Sequence, residues 1–536
     1  MPRPAPDLRL VPSARPDLFV HSDYAAVATA VLPYLREHAD TLYRYGGKLA
    51  FIKRGDDGAP SIRTADKHDI RMIVADHVQP FKITREGRKD IALPTDVANL
   101  LLAPVTDIAP FRSLVGVTTT PLLREDGSIC TSDGYDPHSQ LFCDYTNLPP
   151  LDIPEHPSKA DAKASLKAIR QIFIESPFAD RITDGENEQA TDVEQNPGHD
   201  ESAFLNQLML GVCRASMQIA PAVILRATDG NSGAGKTTLA RSIAYIAYGF
   251  VPKDTRFGED MVEFEKILLS ELRTGLACAL FDNGNNLTLR SDLLNLVLTS
   301  GRAHGRVLGL SEMADLMTRA LILMTGNALS VSADDIRRVL VSNLDARGED
   351  PERRPVSNRE FLEGVIKPRR AELLRHLLTI WRWGRQQRRD IEEGEALVGF
   401  DSYCRWVRDP LLALGCKDPI KRIDELKLTD PKRELQIMVF REWWRAHPRV
   451  DRLGTIPADR LATIPVTATG LSARVCMIID PNYAANSRRE IISTLAAWRG
   501  VRVGGFILNS NAANKGKWSA TKYWLTREEA LDDDDD

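Results

Sequence analysis

The middle of the chain, residues 202–370, alternates between the apolar spacing of helices and the short apolar runs of buried strands. Runs at 221–229, 275–282 and 320–325 predict strands, and the segments between them have the period of helices. Strands and helices that alternate in this way favour a parallel sheet. The sequence therefore predicts an α/β unit over residues 202–370.

The segment before this unit mixes both patterns. Residues 23–36 have helical spacing, and residues 42–51 alternate between apolar and polar positions around Gly46 and Gly47. Paired glycines between two alternating runs are typical of a β-hairpin. A second β-rich stretch, residues 112–136, has an Asp-Gly pair at its turn. We expect an α/β N-terminal region, whose role the pattern does not reveal.

The end of the chain predicts a winged-helix-like domain. Residues 487–499 predict a helix, and residues 501–508 and 522–526 predict two strands around a basic, Asn-rich loop with Lys515 and Lys517. A winged helix places its helix in the major groove of DNA and its wing over phosphates. The alternative is a helix and hairpin that pack only against protein. One side of the helix carries the apolar residues Ile491, Ile492, Leu495 and Trp498.

Composition shifts suggest where the segments of the chain begin and end. Prolines crowd residues 147–158, and acidic and polar residues fill 183–201, so both are expected to be linkers. The expected segments are a disordered lead-in (1–20), an α/β N-terminal domain (21–150), a helix and acidic linker (151–201), the α/β unit (202–370), a helical region (371–450), the winged-helix-like domain (451–530) and an acidic tail (531–536).

The bulk composition excludes several classes of protein. No apolar run approaches the ~18–20 residues of a membrane helix, and the Pro-rich start is neither a signal peptide nor a transit helix, so we expect a cytoplasmic protein. Seven cysteines are scattered without metal-ligand spacing, which favours reduced thiols over disulfides or a zinc site. The net charge of −4 gives no global sign of a nucleic-acid partner. Attraction to DNA would have to come from local basic surfaces.

A phosphate-binding loop pattern, G-x-x-x-x-G-K-T, occupies residues 230–237 between a predicted strand and a predicted helix. Its glycines let backbone N–H groups turn toward phosphate oxygens, and the helix N-terminus adds its dipole. Lys236 would neutralise the β and γ phosphates, and the Thr237 hydroxyl would take a position on Mg²⁺. The alternative is a Gly-rich turn without a ligand. The candidate nucleotide-binding residues are Gly230, Gly233, Gly235, Lys236, Thr237 and Thr238.

Two further predicted strands end in polar residues that suit the same site. The run at 275–282 ends in Asp282, a carboxylate that can hold the metal. Asn283 follows, and it can orient a water but cannot accept its proton, so the role of catalytic base stays open. The run at 320–325 leads to Asn327, whose amide can contact the γ-phosphate or its water. The alternatives are a core strand that happens to end in Asp and an Asn that caps a strand.

A pair of arginines, Arg337 and Arg338, follows ten residues after Asn327. An arginine that reaches across a subunit boundary stabilises charge on a transferred phosphoryl group. The alternative is an exposed helix whose arginines form ordinary ion pairs with Asp334 and Asp335.

Together these motifs resemble the helicase portion of phage and plasmid primase-helicase proteins, which belong with the superfamily 3 ring helicases. Residues 305–313 and 318–347 carry the resemblance, because that family has a similar GRVLG-SEM stretch, a similar sensor and arginine-finger block, and an Asp-Asn pair after the metal acid. Looser similarity lies at 42–52 and 116–137. Two departures are Ala328, where the family has a second Asn, and Ser-Ala-Asp at 332–334 for its Ser-Gly-Asp.

The resemblance implies an AAA+-like P-loop module that works as a hexamer on DNA, with ATP and Mg²⁺ as cofactors. The roles implied are ATP and Mg²⁺ binding by Lys236, Thr237 and Asp282, γ-phosphate sensing by Asn327, and an arginine finger at Arg337 or Arg338, with Arg347 less favoured.

A cationic segment, residues 300–306, lies between the strands that lead to Asp282 and Asn327. Its two glycines around two arginines and a histidine predict a tight turn. Ring helicases carry in this interval a loop or hairpin that grips one DNA strand. Arg302, His304 and Arg306 are therefore candidate phosphate contacts, and a plain surface turn is the alternative.

The leading interpretation is an ATP-dependent, ring-forming DNA helicase that replicates a phage, plasmid or other mobile element. No paired carboxylates suit a primase palm, so a separate primase would be a partner. Within motors, the alternatives are a double-strand translocase and an origin-melting initiator. In another class, the alternative is a nucleotide-switched DNA-binding regulator without processive unwinding. A small-molecule P-loop kinase would explain neither residues 300–347 nor the C-terminal domain.

Overall fold

The structure, a computed structural model, forms two compact units. The first comprises Met1–Leu329 with Arg337–Arg422, and the second comprises Ser330–Ile336 with Ile423–Asp536. No helix among the described residues has both the length and the apolar character that a membrane crossing needs. The described residues are 15–38, 41–55, 58–103, 111–181, 192–227, 233–307, 313–332, 335–346, 360–421, 431–450, 462–481, 489–511 and 520–527.

The α-helices are α1 Tyr24–His38, α2 Lys67–His77, α3 Thr95–Leu102, α4 Lys159–Ile172, α5 His199–Cys213, α6 Lys236–Tyr248, α7 Met261–Leu272, α8 Asp292–Ser300 and α9 Arg370–Gln386, followed by Asp401–Tyr403, Asp409–Ala413, Pro431–Ala446, Ala473–Ile479 and Arg489–Ala497.

The strands are β1 Asp17–Phe19, β2 Leu42–Tyr45, β3 Lys48–Arg54, β4 Pro60–Thr64, β5 Gln79–Thr84, β6 Gly87–Asp90, β7 Gly116–Thr118, β8 Leu122–Leu123, β9 Ile129–Cys130, β10 Gly134–Asp136, β11 Leu141–Cys143, β12 Ala222–Ala227, β13 Asp254–Arg256, β14 Cys278–Asp282, β15 Thr288–Leu289, β16 Arg302–Arg306, β17 Met313–Met317, β18 Leu321–Asn327, β19 Ser330–Val331, β20 Val339–Leu344, β21 Arg449–Val450, β22 Ala462–Thr463, β23 Val466–Thr467, β24 Arg502–Val503, β25 Phe506–Ser510 and β26 Lys522–Arg527.

Five parallel strands form the central sheet of the first unit, in the spatial order β13, β14, β18, β12, β20. The expected α/β class with a parallel sheet is confirmed, and the three predicted apolar runs are β12, β14 and β18. These strands are almost entirely buried, as the continuous apolar runs of a parallel sheet require. Residues 339–344, for which no element was predicted, form the fully buried strand β20.

Helix α5 lies against β20 and is buried along nearly its whole length. Its two acidic residues are therefore paired rather than solvated. Glu201 accepts two hydrogen bonds from Arg170 of α4, at 2.7 and 3.0 Å. One carboxylate oxygen of Asp200 accepts from the backbone N–H and the side-chain amide of Asn343, at 2.7 and 2.9 Å. These bonds fix α4 and β20 to the same helix.

The N-terminal segment matches its predicted elements. Helix α1 covers the predicted 23–36, and β2 pairs with β3 around Gly46 and Gly47, whose φ angles are +55° and +79°. Strands β8 and β9 form the second predicted hairpin. Helices α1, α2 and α3 pack with β1 and β2 around one apolar core.

The second unit contains a sheet in which β21, β22, β26, β25 and β24 are successive neighbours and β23 also pairs with β26. Helices Pro431–Ala446, Ala473–Ile479 and Arg489–Ala497 supply the rest of its core, which includes the buried Trp443 and Trp498. The predicted helix and the strand at 522–526 are present. Lys515 and Lys517 lie outside the described residues.

One prediction for this unit was wrong in detail. Residues 501–508 are not one strand, because Gly504 and Gly505, at φ +55° and +78°, turn the chain between β24 and β25. Ile492 is 47% exposed, whereas Ile491 and Leu495 are buried. Residues 491 and 495 lie one turn apart on a helix, and residue 492 is rotated about 100° from 491, at the edge of the buried face.

Candidate functional site

The carboxyl ends of the central strands bring the predicted polar residues together. Strand β18 lies between β12 and β14, with Asn327 in register with Ala227 on one side and Met324 with Phe281 on the other. The chain after β12 enters α6, and β14 ends at Asp282. Ligands of parallel α/β sheets bind at this edge, where neighbouring strands connect in opposite directions.

Two glycines shape the start of α6. Gly233 and Gly235 have φ angles of +89° and +87°, a left-handed conformation that favours glycine. A side chain at Gly235 would meet nothing within 4 Å, so backbone conformation rather than crowding favours glycine there. The N-cap residue of α6, Gly235, has no side chain to cap the helix, and N–H groups at a helix N-terminus suit an anion. Gly230 lies outside the described residues.

Lys236, the first residue of α6, faces the end of β18. Its Nζ donates a hydrogen bond of 2.6 Å to the Asn327 side-chain oxygen. Burial lowers the pKa of Lys236, and the nearby charge of Asp282 acts in the opposite direction. The site therefore holds a partly desolvated ammonium close to one carboxylate, which favours binding of an additional anion.

Asp282 accepts hydrogen bonds from hydroxyl groups on two different elements. Its Oδ1 accepts from the Thr237 hydroxyl at 2.9 Å and also from the Thr325 hydroxyl, while the Asn283 amide lies 3.4 Å from Oδ2. The described residues contain no group of three or more His, Cys, Asp or Glu side chains that could hold a metal. One carboxylate beside one hydroxyl nevertheless fits Mg²⁺, which keeps several waters and takes further ligands from phosphates.

Asn283 turns back toward the acid that precedes it. Its φ of +64° is a left-handed conformation that Asn adopts more readily than most residues. The exposed side chain contacts Asp282, so it is placed to orient a small polar ligand at this edge. An amide cannot take a proton from water, and the catalytic base remains unassigned.

The loop after Asp282 is joined to the end of β18 by three hydrogen bonds. Gly284 N donates to Thr325 O, Asn286 N donates to Asn327 O, and the Asn327 N–H donates to the Asn285 side chain, all at 2.7–2.9 Å. A Cβ at Gly326 would lie 2.5 Å from the Gly284 carbonyl oxygen, so only glycine permits this approach.

Sequence reasoning missed Thr325 and Asn285. A buried Thr near the end of an apolar strand needs a hydrogen-bond partner, and that requirement was the available signal for Thr325. Asn285 lies in the run Asp-Asn-Gly-Asn-Asn at 282–286, and the sequence does not show which of its amides contacts the site. Thr238, included among the candidates, lies half-buried in the first turn of α6.

Arg337 and Arg338 do not lie with these residues. They precede β20, and Val339 is in register with Ala222 at the start of β12, about 17 Å along the sheet from its carboxyl end. Arg338 donates to the Asn295 side chain at 3.2 Å. Arg337 is exposed and, within the described part of the chain, has no hydrogen bond or ion pair. Arg347 lies outside the described residues.

The cationic segment is a strand, and its prediction as a tight turn was wrong. Gly301, at φ +67°, ends α8, and residues 302–306 then pair antiparallel with β17. Alternation along β16 buries Ala303 and leaves Arg302, His304 and Arg306 on the other face. Arg302 forms an ion pair of 2.7 Å with Asp315 across the hairpin. The three candidates therefore share one face of a β-hairpin, with part of its charge neutralised.

Replacing Asp282 by Asn should lower the pKa of Lys236 further. Burial disfavours the ammonium form, and the Asp282 charge is the influence that counters it. The pH dependence of Lys236 acylation, followed by mass spectrometry, measures this shift. Asp292→Asn, at an exposed position of α8, is the control and should leave the profile unchanged. An unchanged or raised pKa in Asp282→Asn would show that the two side chains do not interact as described.

Comparison with known proteins adds no assignment. No family model matches the chain, and no significant match was found among curated proteins. A functional proposal therefore depends on the sequence motifs and on the geometry at the carboxyl edge of the central sheet.

Proposed function

We propose that this chain is an ATP-driven, ring-forming DNA helicase, a P-loop motor of AAA+-like type that serves replication of a phage, plasmid or other mobile element. The observation that carries the proposal is the convergence of Lys236, Thr237, Asp282 and Asn327 at the carboxyl edge of one parallel sheet. These side chains come from three sequence motifs that were recognised separately, and their contacts support a common site.

In the proposed mechanism some residues bind the nucleotide and Mg²⁺, and Asn327 orients the γ-phosphate or the attacking water. Lys236 would hold the β and γ phosphates, and the start of α6, where Gly235 is the N-cap, would offer its N–H groups to the same oxygens. Thr237 and Asp282 would hold Mg²⁺, which neutralises charge that develops on the phosphoryl group. Asn327 would exchange its bond with Lys236 for a contact to the γ-phosphate or the attacking water.

The position of the arginines supports action between subunits. Arg337 lies at the amino edge of the sheet, and the site of the same chain lies at the carboxyl edge. A side chain of this length cannot span that separation, whereas a neighbouring subunit in a ring could bring its own Arg337 to the site. Arg337 suits this role better than Arg338, whose guanidinium already contacts Asn295.

Basic surfaces in both units support DNA as the partner. The face of β16 that carries His304 and Arg306 is exposed and would contact phosphates without base readout. In the second unit the exposed acids among the described residues are Glu434 and Glu490. Its exposed basic residues are more numerous: Arg441, Arg445, Arg449, Arg474, Arg489, Arg499, Arg502 and Lys522. We propose that this unit is the winged-helix-like DNA-binding module, with Lys515 and Lys517 in its wing.

Lys236→Ala should abolish ATP hydrolysis, because the phosphates lose their positive partner, and single-stranded DNA should stimulate hydrolysis by the wild-type protein. Steady-state phosphate release with and without DNA measures both. Lys253→Ala, at an exposed lysine near α6, is the matched control and should hydrolyse normally. Wild-type turnover in Lys236→Ala would refute the site, and nucleotide binding without DNA-stimulated turnover would favour a switch over a motor.

Mixing Arg337→Ala protein with Lys236→Ala protein should restore part of the ATPase activity. Loss of an arginine finger costs roughly 10³–10⁵ in turnover, far more than a surface ion pair could explain. In a mixed ring, the intact loop of an Arg337→Ala subunit can face a neighbour whose arginine is intact. Subunit exchange is first established with differently labelled proteins. If exchange occurs and no mixing ratio restores turnover, Arg337 does not act in trans.

A further inference from the structure

Every carbonyl group in the last turn of α6 accepts a hydrogen bond from a side chain outside the helix. The final carbonyl groups of a helix have no partner within the helix and must be satisfied from outside. Arg370, at the start of α9, is 7% exposed and directs its guanidinium at this turn. Its Nε lies 3.1 and 3.2 Å from the Tyr245 and Ile246 oxygens, and its Nη2 lies 3.4 Å from the Ala247 oxygen.

Two threonines complete this cap from another part of the chain. The Thr120 hydroxyl donates to Ala247 O at 2.6 Å, and the Thr119 hydroxyl donates to Tyr248 O at 2.7 Å. Both threonines are buried and directly follow β7. All four carbonyls of the last turn thus accept bonds from side chains that lie more than 100 positions away in sequence.

Arg370 also connects this turn to the N-terminal segment. Its Nη1 donates to Asn147 O at 2.8 Å, near the end of that segment. Burial lowers the pKa of Arg370 to about 10, so the guanidinium stays charged at neutral pH and opposes the negative end of the helix dipole. No side chain fits at Gly249, because its Cβ would lie 2.8 Å from the guanidinium carbon.

The two ends of α6 are therefore unequal. The N-cap residue Gly235 offers no side chain, whereas the C-terminus has external bonds to every carbonyl of its last turn. A helix of 13 residues is a rod of about 20 Å. The position of Lys236 and Thr237 along the helix axis, relative to Asp282, depends on this anchor as well as on the packing of α6 against the central sheet.

We propose that Arg370, Thr119 and Thr120 are positioning residues that set the nucleotide affinity of the Lys236 end of α6 and couple that site to the N-terminal segment. This inference rests on the proposed function of the Lys236 site. Because such coupling is reciprocal, bound nucleotide should also reduce the mobility of residues 116–120.

The test compares paired substitutions that remove or keep the hydroxyl groups. Thr119→Val with Thr120→Val should raise the dissociation constant of a non-hydrolysable ATP analogue with Mg²⁺ about tenfold, within the usual range of coupling between sites. Thr119→Ser with Thr120→Ser should restore wild-type affinity. Thr379→Val is the matched control, since Thr379 is a buried threonine that donates to a helix carbonyl in α9.

The affinities and melting temperatures of these variants distinguish a positioning role from a purely structural one. A purely structural role would lower the melting temperature of the double Val variant and of Thr379→Val alike, with no change in nucleotide affinity, and would overturn the inference. If the double variant does not fold, Thr120→Val alone should still weaken binding, and wild-type affinity in it would also overturn the inference. If even the wild-type protein shows no binding that Lys236→Ala abolishes, the proposed function itself fails.

Discussion

The position of β18 between β12 and β14 is the constraint on which the site depends. Parallel pairing on both sides puts the carboxyl ends of three strands at one edge. Each strand leads to a different group there: the glycine-rich start of a helix, a carboxylate, and an amide. A shift of β18 by one residue would turn Asn327 to the opposite face of the sheet.

The polar side chains at this edge form hydrogen bonds with one another, and a ligand would compete with these bonds. Lys236 is paired with Asn327, and Asp282 is paired with two threonine hydroxyls. Such pairs avoid the cost of buried, unsatisfied charges while the groups remain close to water. In the proposed complex, phosphates and Mg²⁺ would take the place of these contacts. The loop bonded to the end of β18 would keep Asp282 in position during this exchange.

Features that local periodicity controls were accessible from sequence. Apolar spacing and turn residues predicted strands β12, β14 and β18, helix α6 and the hairpin at Gly46. The order of the strands and the helix then indicated which polar residues lie at the site. Strand β20 was not predicted, because the interpretation of this stretch concerned the role of Arg337 and Arg338 rather than the apolar residues that follow them. The segment 302–306 was read as a turn because its glycines were visible, whereas its partner strand β17 was not.

Contacts between distant segments were beyond sequence reasoning. Thr119 and Thr120 meet α6 across more than 100 positions, and a Thr-Thr pair has no pattern that identifies such a partner. The separation of Arg337 from the Lys236 site likewise depends on sheet register, since sequence spacing alone suggested one continuous block.

The proposed function requires that nucleotide and Mg²⁺ bind together at the carboxyl edge of the sheet. The most direct measurement is calorimetric titration of a non-hydrolysable ATP analogue, with and without Mg²⁺, into the wild-type protein and into Asp282→Asn. The wild-type protein should bind more tightly with Mg²⁺, and Asp282→Asn should bind equally with and without it. Absence of binding, or full Mg²⁺ dependence in Asp282→Asn, would contradict the assignment.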